Sequence, residues 1–342
     1  MLCPYAISVD IFSKQTEGFI PESIQVATFF TNQADNKRDP SFGVIGVDSR
    51  MRVSNSEMYP FSAIGQLSID DIKICSGTLI SPQHVLTAAH CVYNKFDNTF
   101  AKTISFAPGH NGSSQPYGSF AVTDYFIPKE YLELSIETGA ADIALLKLAH
   151  DAGTKVGWLG TRTFTNPPSF ILQQLEQDII KVANQENGNN ALIEEVIDNF
   201  VNVHPDYTYH YYGYSGDKGG ELWGDACFGY HLEPYSTEKF IQVRVFCDDQ
   251  PGASGSGYFD DQFYVSAVAS WHKGASRANY AKDDKGRLTG DVEGSWQEVY
   301  NINQGISDYT FDLINNWMNE SIGDDTVHKS IQSTTSLDHK KQ

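Results

Sequence analysis

Basic residues are scarce. The 342-residue chain has 24 Lys and Arg against 43 Asp and Glu, a formal net charge of -19, and without clustered cations to neutralise phosphates it is not expected to bind nucleic acid or anionic membrane surfaces. Long apolar runs are also missing: no stretch of roughly 18 apolar residues occurs, so no membrane-spanning helix is expected. Residues 1–10 have a short apolar patch but neither a basic start nor a small-residue cleavage site, so no clear signal peptide is read there. Cysteine is sparse, and its odd count of five leaves one thiol over once two bridges have formed. Bridges imply an oxidising compartment. The expected location is therefore secreted, extracellular or lumenal, despite the missing leader signature.

What is present divides the chain into five stretches. Residues 1–52 are polar, contain a loop-like passage over 32–40 and show no strong period, and they read as a leader or pro-segment. Residues 53–150 consist of short apolar runs separated by Gly, Pro, Asn and Asp, the pattern of antiparallel strands. Residues 151–202 differ. Ile171, Leu175 and Ile179 recur at helical spacing, as do Leu192, Val196 and Phe200, with a polar passage between them. Strand and turn chemistry returns over 203–318, closing with Phe311, Leu313, Ile314 and Trp317 at helical spacing; residues 319–342 read as a disordered tail.

Three motifs carry chemistry. In Thr87-Ala88-Ala89-His90-Cys91, the side chain able to exchange a proton near neutral pH follows two small residues that leave room beside its ring. Asp142 precedes the apolar run Ile143-Ala144-Leu145-Leu146, where a carboxylate is costly unless hydrogen bonded. Cys247-Asp248-Asp249-Gln250-Pro251-Gly252-Ala253-Ser254-Gly255-Ser256-Gly257 places a serine among glycines that let backbone N–H groups approach a ligand closely. The order His90, Asp142, Ser254, with strand-like sequence after the last motif, does not fit the strand–Ser–helix elbow of α/β-hydrolases.

These motifs resemble those of chymotrypsin-like (trypsin-like) serine proteases. Tyr212-Gly213-Tyr214-Ser215-Gly216-Asp217-Lys218 followed by Leu222-Trp223 is similar to the V8-like, glutamyl-endopeptidase-like branch, and the Ser254 motif is similar to that of the animal serine protease 23 type. The resemblance covers roughly residues 44–318. It implies an all-β fold: two antiparallel β-barrels, 53–150 and 203–318, with a C-terminal helix on the second and a helical insertion at 151–202 between them.

The function implied is a serine endopeptidase acting through an acyl-enzyme. His90, Asp142 and Ser254 would form the triad, and the N–H groups of Gly252 and Ser254 the oxyanion hole. Asp248, Asp249, Ser270, Trp271 and His272 are the expected substrate-binding residues, with Ser270 also expected to support Asp142. Cys75 with Cys91 and Cys227 with Cys247 are the expected disulfides. No metal or cofactor is expected; the expected partners are protein or peptide substrates and protein inhibitors, met by a monomer. Two adjacent carboxylates at 248 and 249 argue against a pocket for glutamate and towards a basic or broad preference. Ala253 stands where trypsin itself has the aspartate that pairs with a newly cut N-terminus, so activation by that ion pair is not expected; residues 44–53 read equally as a junction cut after Arg52, starting a mature chain at Val53, or as an exposed linker that is never cut. Asn111-Gly112-Ser113 and Asn319-Glu320-Ser321 fit the N-glycosylation pattern. The rival reading is a catalytically silent binding module that keeps the fold.

Overall fold

The computed structural model describes residues 14–27, 48–134, 140–183, 195–196, 199–200, 202–231, 237–271, 279–282, 288–293 and 301–331. Its architecture is two antiparallel β-barrels side by side. In the first, β1 (Ile64–Ile69), β2 (Lys73–Leu79), β3 (His84–Thr87), β4 (Ile104–Pro108), β5 (Phe120–Pro128) and β6 (Ala144–Leu148) pair in the order β6-β3-β2-β1-β4-β5, and β5 pairs with β6 to close the ring. Closure pairs the strands round the ring. Its strands are buried and apolar: Leu67, Leu79, Val85, Phe106, Leu145 and Leu146 are fully buried.

The second barrel follows the same plan. Between the barrels run β7 (Gly160–Arg162) and α2 (Ser169–Ala183), and then β8 (Thr208–Gly213), β9 (Trp223–His231), β10 (Ile241–Val245), β11 (Gly257–Phe259), β12 (Tyr264–Trp271) and β13 (Asn301–Gly305) close in the order β12-β11-β8-β9-β10-β13. The tyrosines of β8 act as strand packing: Tyr211 stacks on Tyr258 with ring centroids 5.1 Å apart, and both are fully buried.

The helical spacing in the 151–202 stretch corresponds to core contacts. Ile171 and Leu175 from α2 and Phe200 join the core cluster of the second barrel, with Phe200 against Phe228 at 4.6 Å between centroids. Leu192 lies outside the described residues. The same stretch also contains β7, which pairs in parallel with the start of β12.

Both disulfides are formed, Cys75–Cys91 and Cys227–Cys247. The first closes a loop of about 15 residues, a constraint of roughly 3 kcal/mol on the unfolded chain in the entropic account. It ties β2 to α1 (Ala89–Val92), the short helix that carries His90.

The chain ends differ from what composition suggested. The C-terminal helix is α3 (Asp308–Met318), capped by the Ser307 side chain on Thr310 N–H. The tail read as disordered then forms β14 (Thr326–Ser330), which pairs antiparallel with β5 from Thr326↔Pro128 to Ser330↔Asp124. His328 stacks on Phe126, and Trp317 Nε1–H donates to Thr326 Oγ1. A polar segment can be ordered by main-chain pairing that hydropathy does not register, which is why composition missed it.

The N-terminal stretch is likewise threaded into the molecule. Gln15–Thr16 pair with Arg162 and Thr161 of β7, and Phe19 stacks on Trp158. Met51–Arg52 pair with Gly224 and Trp223 of β9, and Val53 N–H donates to Leu222 O. The 52/53 boundary thus falls inside a paired segment. Asn111 is also engaged: its Nδ2 donates to Val53 O and its Oδ1 accepts from Leu222 N–H. It reads as a bracket between segments instead of a glycan-bearing loop tip.

Candidate active site

His90 sits in α1, directly after β3, where the strand ends and the chain turns. Its ring Nδ1 lies 2.7 Å from Asp142 Oδ2, and its backbone N–H donates to Asp142 Oδ1 at 2.8 Å. Ser270 Oγ, from the other barrel, donates to the same Oδ2 at 2.6 Å. The Asp142 carboxylate, 2% exposed, therefore meets three donors. Burial alone would push its carboxyl up, but His90 and the Ser270 hydroxyl outweigh that and hold it below the usual carboxylate range. Ionised, Asp142 fixes the ring with Nδ1 as donor and leaves Nε2 as the acceptor on the opposite side.

Asp142 is delivered by an unusual piece of backbone. Ala141, just before it, has φ 62, and Ile143 N–H closes back on Ala141 O at 2.9 Å. A non-glycine residue in the left-handed region persists only where its surroundings enforce it, and such residues cluster at functional sites. Here the tight turn swings the carboxylate out of the β6 direction and onto His90.

Ser254 is presented on a loop gripped by the first barrel. Ser76 N–H, in β2, donates to Ser254 O at 2.8 Å, and Ser76 Oγ–H donates to Gly252 O at 3.0 Å while accepting from Tyr214 N–H. Cys91 Sγ lies 3.7 Å from Ser254 O, so the residue after His90 touches the serine's own carbonyl. The two glycines flanking the serine are required by shape. Gly252 has φ +103, and a Cβ there would stand 2.5 Å from Tyr214 O; Gly255 has φ +89, and a Cβ would meet Thr87 Oγ1 and Ser76 O at 2.0 and 2.3 Å. Among the described residues, the N–H groups of Gly252 and Ser254 donate no hydrogen bond. They are thus available to an external acceptor.

The other expected residues are placed unevenly. Ser270 reaches Asp142, and its own N–H is held by Asn303 Oδ1 at 3.1 Å. Trp271 ends β12, and His272 lies outside the described residues. Asp248 and Asp249 are interior, 1% and 0% exposed. Asp248 Oδ2 accepts from Ser49 N–H at 2.7 Å and Ser49 Oγ–H at 3.0 Å, and Asp225 Oδ2 accepts from Ser49 Oγ–H and Asp248 N–H. Sequence reasoning missed Ser49, Ser76, Asp225 and Asn303, because each acts through a partner far away in the chain. Close histidine and cysteine atoms at Cys75, His90 and Cys91 invite a metal reading. Both thiols are consumed in a disulfide, so that donor set does not suit an ion.

The trypsin family profile matches residues 51–283. Glutamyl endopeptidase of Bacillus licheniformis is 28% identical over 280 residues, covering 81% of this chain and 70% of that protein. Serine protease 23 of Rattus norvegicus is 23% identical over 224 residues, covering 63% of this chain; the alignment spans only half the length of that relative. Among solved structures, a Glu endopeptidase in complex with MPD superimposes with a TM-score of 0.54 at 21% identity, covering 81% of this chain and 99% of the other. At that identity, the superposition speaks for the fold.

Proposed function

The chain belongs to the trypsin family and is a serine-type endopeptidase acting on peptides or proteins, and from that premise we propose that Ser254 is its nucleophile and His90 and Asp142 its base and orienting carboxylate. The observation that carries this reading is the chain of hydrogen bonds from Ser270 through Asp142 to His90, beside a loop that holds Ser254 on a glycine-dependent backbone. Ser254 Oγ attacks the scissile carbonyl carbon while His90 Nε2 takes its proton. The tetrahedral oxyanion is received by the N–H groups of Gly252 and Ser254, and collapse transfers the proton to the leaving amine. Water then repeats the sequence on the acyl-enzyme, with His90 as base again. The binding-module alternative finds no support in a candidate triad whose members are all present.

Specificity follows from the charge behind the loop. Asp225, Asp248 and Asp249 are all buried there, a field that disfavours an acidic side chain at the cleaved residue and tolerates basic or neutral ones. The disulfides accord with a secreted or lumenal enzyme. The test is a fluorophosphonate probe followed by peptide mapping, with a peptide library digested in parallel. The adduct is expected on Ser254, and cuts after basic or neutral residues. An adduct elsewhere sinks the assignment, and cuts confined to Glu and Asp sink the specificity.

A further inference from the structure

A cluster of four charged side chains lies behind the Gly252 loop, and two of them, Asp48 and Arg50, come from the stretch that precedes the first barrel. Arg50, 2% exposed, donates through Nε and Nη2 to the two oxygens of Asp48, both at 2.8 Å, and through Nη1 and Nη2 to those of Asp217 at 3.1 and 2.7 Å. Lys218 Nζ adds a third side-chain donor to Asp48 at 2.8 Å. A guanidinium forked onto two carboxylates fixes direction as well as distance.

Asp217 belongs to the Gly216–Lys218 turn, which runs on through Gly219 (φ 61) and Gly220 (φ 80) and so has little conformational stiffness of its own. Its ends are tied elsewhere: Tyr214 N–H to Ser76 Oγ, and Gly220 O to Gly112 N–H. The middle is held by Arg50 on Asp217 and by Asp48, itself forked onto Arg50, on Lys218. The turn in turn touches the nucleophile loop, because Gly216 N–H donates to Pro251 O at 2.8 Å. Pro251 C=O and Gly252 N–H belong to one planar peptide. Fixing the carbonyl in one direction fixes the N–H in the opposite one.

We propose that Arg50 is a positioning residue for catalysis: through Asp217 and the Gly216–Pro251 hydrogen bond it sets the orientation of the Gly252 N–H that receives the oxyanion. The inference rests on the assignment of Gly252 N–H as an oxyanion donor. Arg50 touches no substrate. It acts by keeping the 251–252 peptide from rotating, so its effect falls on the transition state, where the oxygen carries charge, and leaves ground-state binding nearly unchanged.

The test uses the full chain and p-nitrophenyl acetate, a small ester that makes little demand on a side-chain pocket. Arg50→Met, Asp217→Asn and Gly252→Ala are compared with wild type for kcat, KM and affinity for a peptide boronic acid, which forms a tetrahedral adduct on the serine. Asp217→Asn guards against a folding failure of Arg50→Met, since Asp217 is only partly buried, at 30% side-chain exposure. Glu221→Gln, at an ion pair with Arg52, serves as a control and keeps the wild-type rate.

Arg50→Met and Asp217→Asn are expected to lower kcat by about 10- to 100-fold, a part of what losing a whole oxyanion donor costs. KM should move less than about threefold, and boronate affinity should fall in step with kcat/KM. Full kcat in folded Arg50→Met and Asp217→Asn, beside an impaired Gly252→Ala, overturns the role of Arg50 alone. A folded Gly252→Ala with wild-type kcat overturns the oxyanion assignment and the role of Arg50 with it. A loss in the Arg50 and Asp217 variants that appears in KM with kcat intact also overturns the proposal.

Discussion

Ser254→Ala is expected to lower kcat on the best-cleaved library peptide by about 10⁶-fold, with KM nearly unchanged, since the alanine has no atom to form the acyl bond. Asp142→Asn should cost about 10⁴-fold. The reason lies in the three donors that converge on Asp142: His90 N–H, the His90 ring and the Ser270 hydroxyl. An amide offers one oxygen where the carboxylate offers two, and it turns an NH2 towards either the His90 backbone or its ring. Turned towards the ring, it holds the imidazole in the tautomer that cannot take the serine proton; turned towards the backbone, it faces the His90 N–H donor to donor. Because the two residues act as one unit, the double variant should be no slower than Ser254→Ala. Retention of activity within tenfold in purified Ser254→Ala would remove the nucleophile from Ser254.

A chain starting at Val53 is expected to be inactive and much less stable than the full chain. This goes against one of the two readings the sequence allows, in which residues 1–52 are discarded, and favours the other, an uncut linker. The cut would take away Asp48, Ser49 and Arg50. Asp217 would lose its guanidinium, Lys218 would lose Asp48 and keep Asp217 at 3.4 Å, and the buried Asp248 and Asp225 would lose the Ser49 hydroxyl that lies between them. Asp217 is partly exposed and keeps Lys218, so the larger loss falls on the buried carboxylates that Ser49 served; a hydrogen bond to a charged group contributes roughly 1.5–3 kcal/mol, a sizeable share of the roughly 5–15 kcal/mol that holds a domain together. Circular dichroism melts and probe labelling of the two lengths check this. Equal melting midpoints and equal labelling would show that the strap is dispensable. Any processing that preserves activity is therefore expected before Asp48.

The candidate site was readable in sequence wherever its chemistry is written locally. His90 with its cysteine, Asp142 before an apolar strand and Ser254 among glycines are each motifs of a few residues, and the apolar alternation around them marks barrel strands. Ser49, Arg50 and Asp225 could not be read this way. Ser49 and Asp225 meet partners 23 to 199 positions away, and Arg50 meets Asp217 167 positions on besides its neighbour Asp48; an arginine in a polar stretch looks the same in sequence whether it faces water or two carboxylates. The tail failed for a related reason: β14 is held by main-chain pairing, which carries no side-chain signature. Asn111 shows the converse, a pattern match whose side chain is already committed to Val53 and Leu222.

The course of the last thirty described residues has a thermodynamic consequence. After β13 completes the second barrel, α3 and β14 return to the first, with Trp317 beside Phe126 and β14 laid along β5. The N-terminal strap makes the opposite journey, running past β9 of the second barrel before the first begins. Each half is thus laced by chain that belongs in sequence to the other. Local opening of one barrel must also undo the lacing on its neighbour, which couples the two into one cooperative unit. A cleft assembled from both halves then has no partly melted form in which His90 is in place and Ser254 is not: heating should extinguish the catalytic apparatus in a single transition.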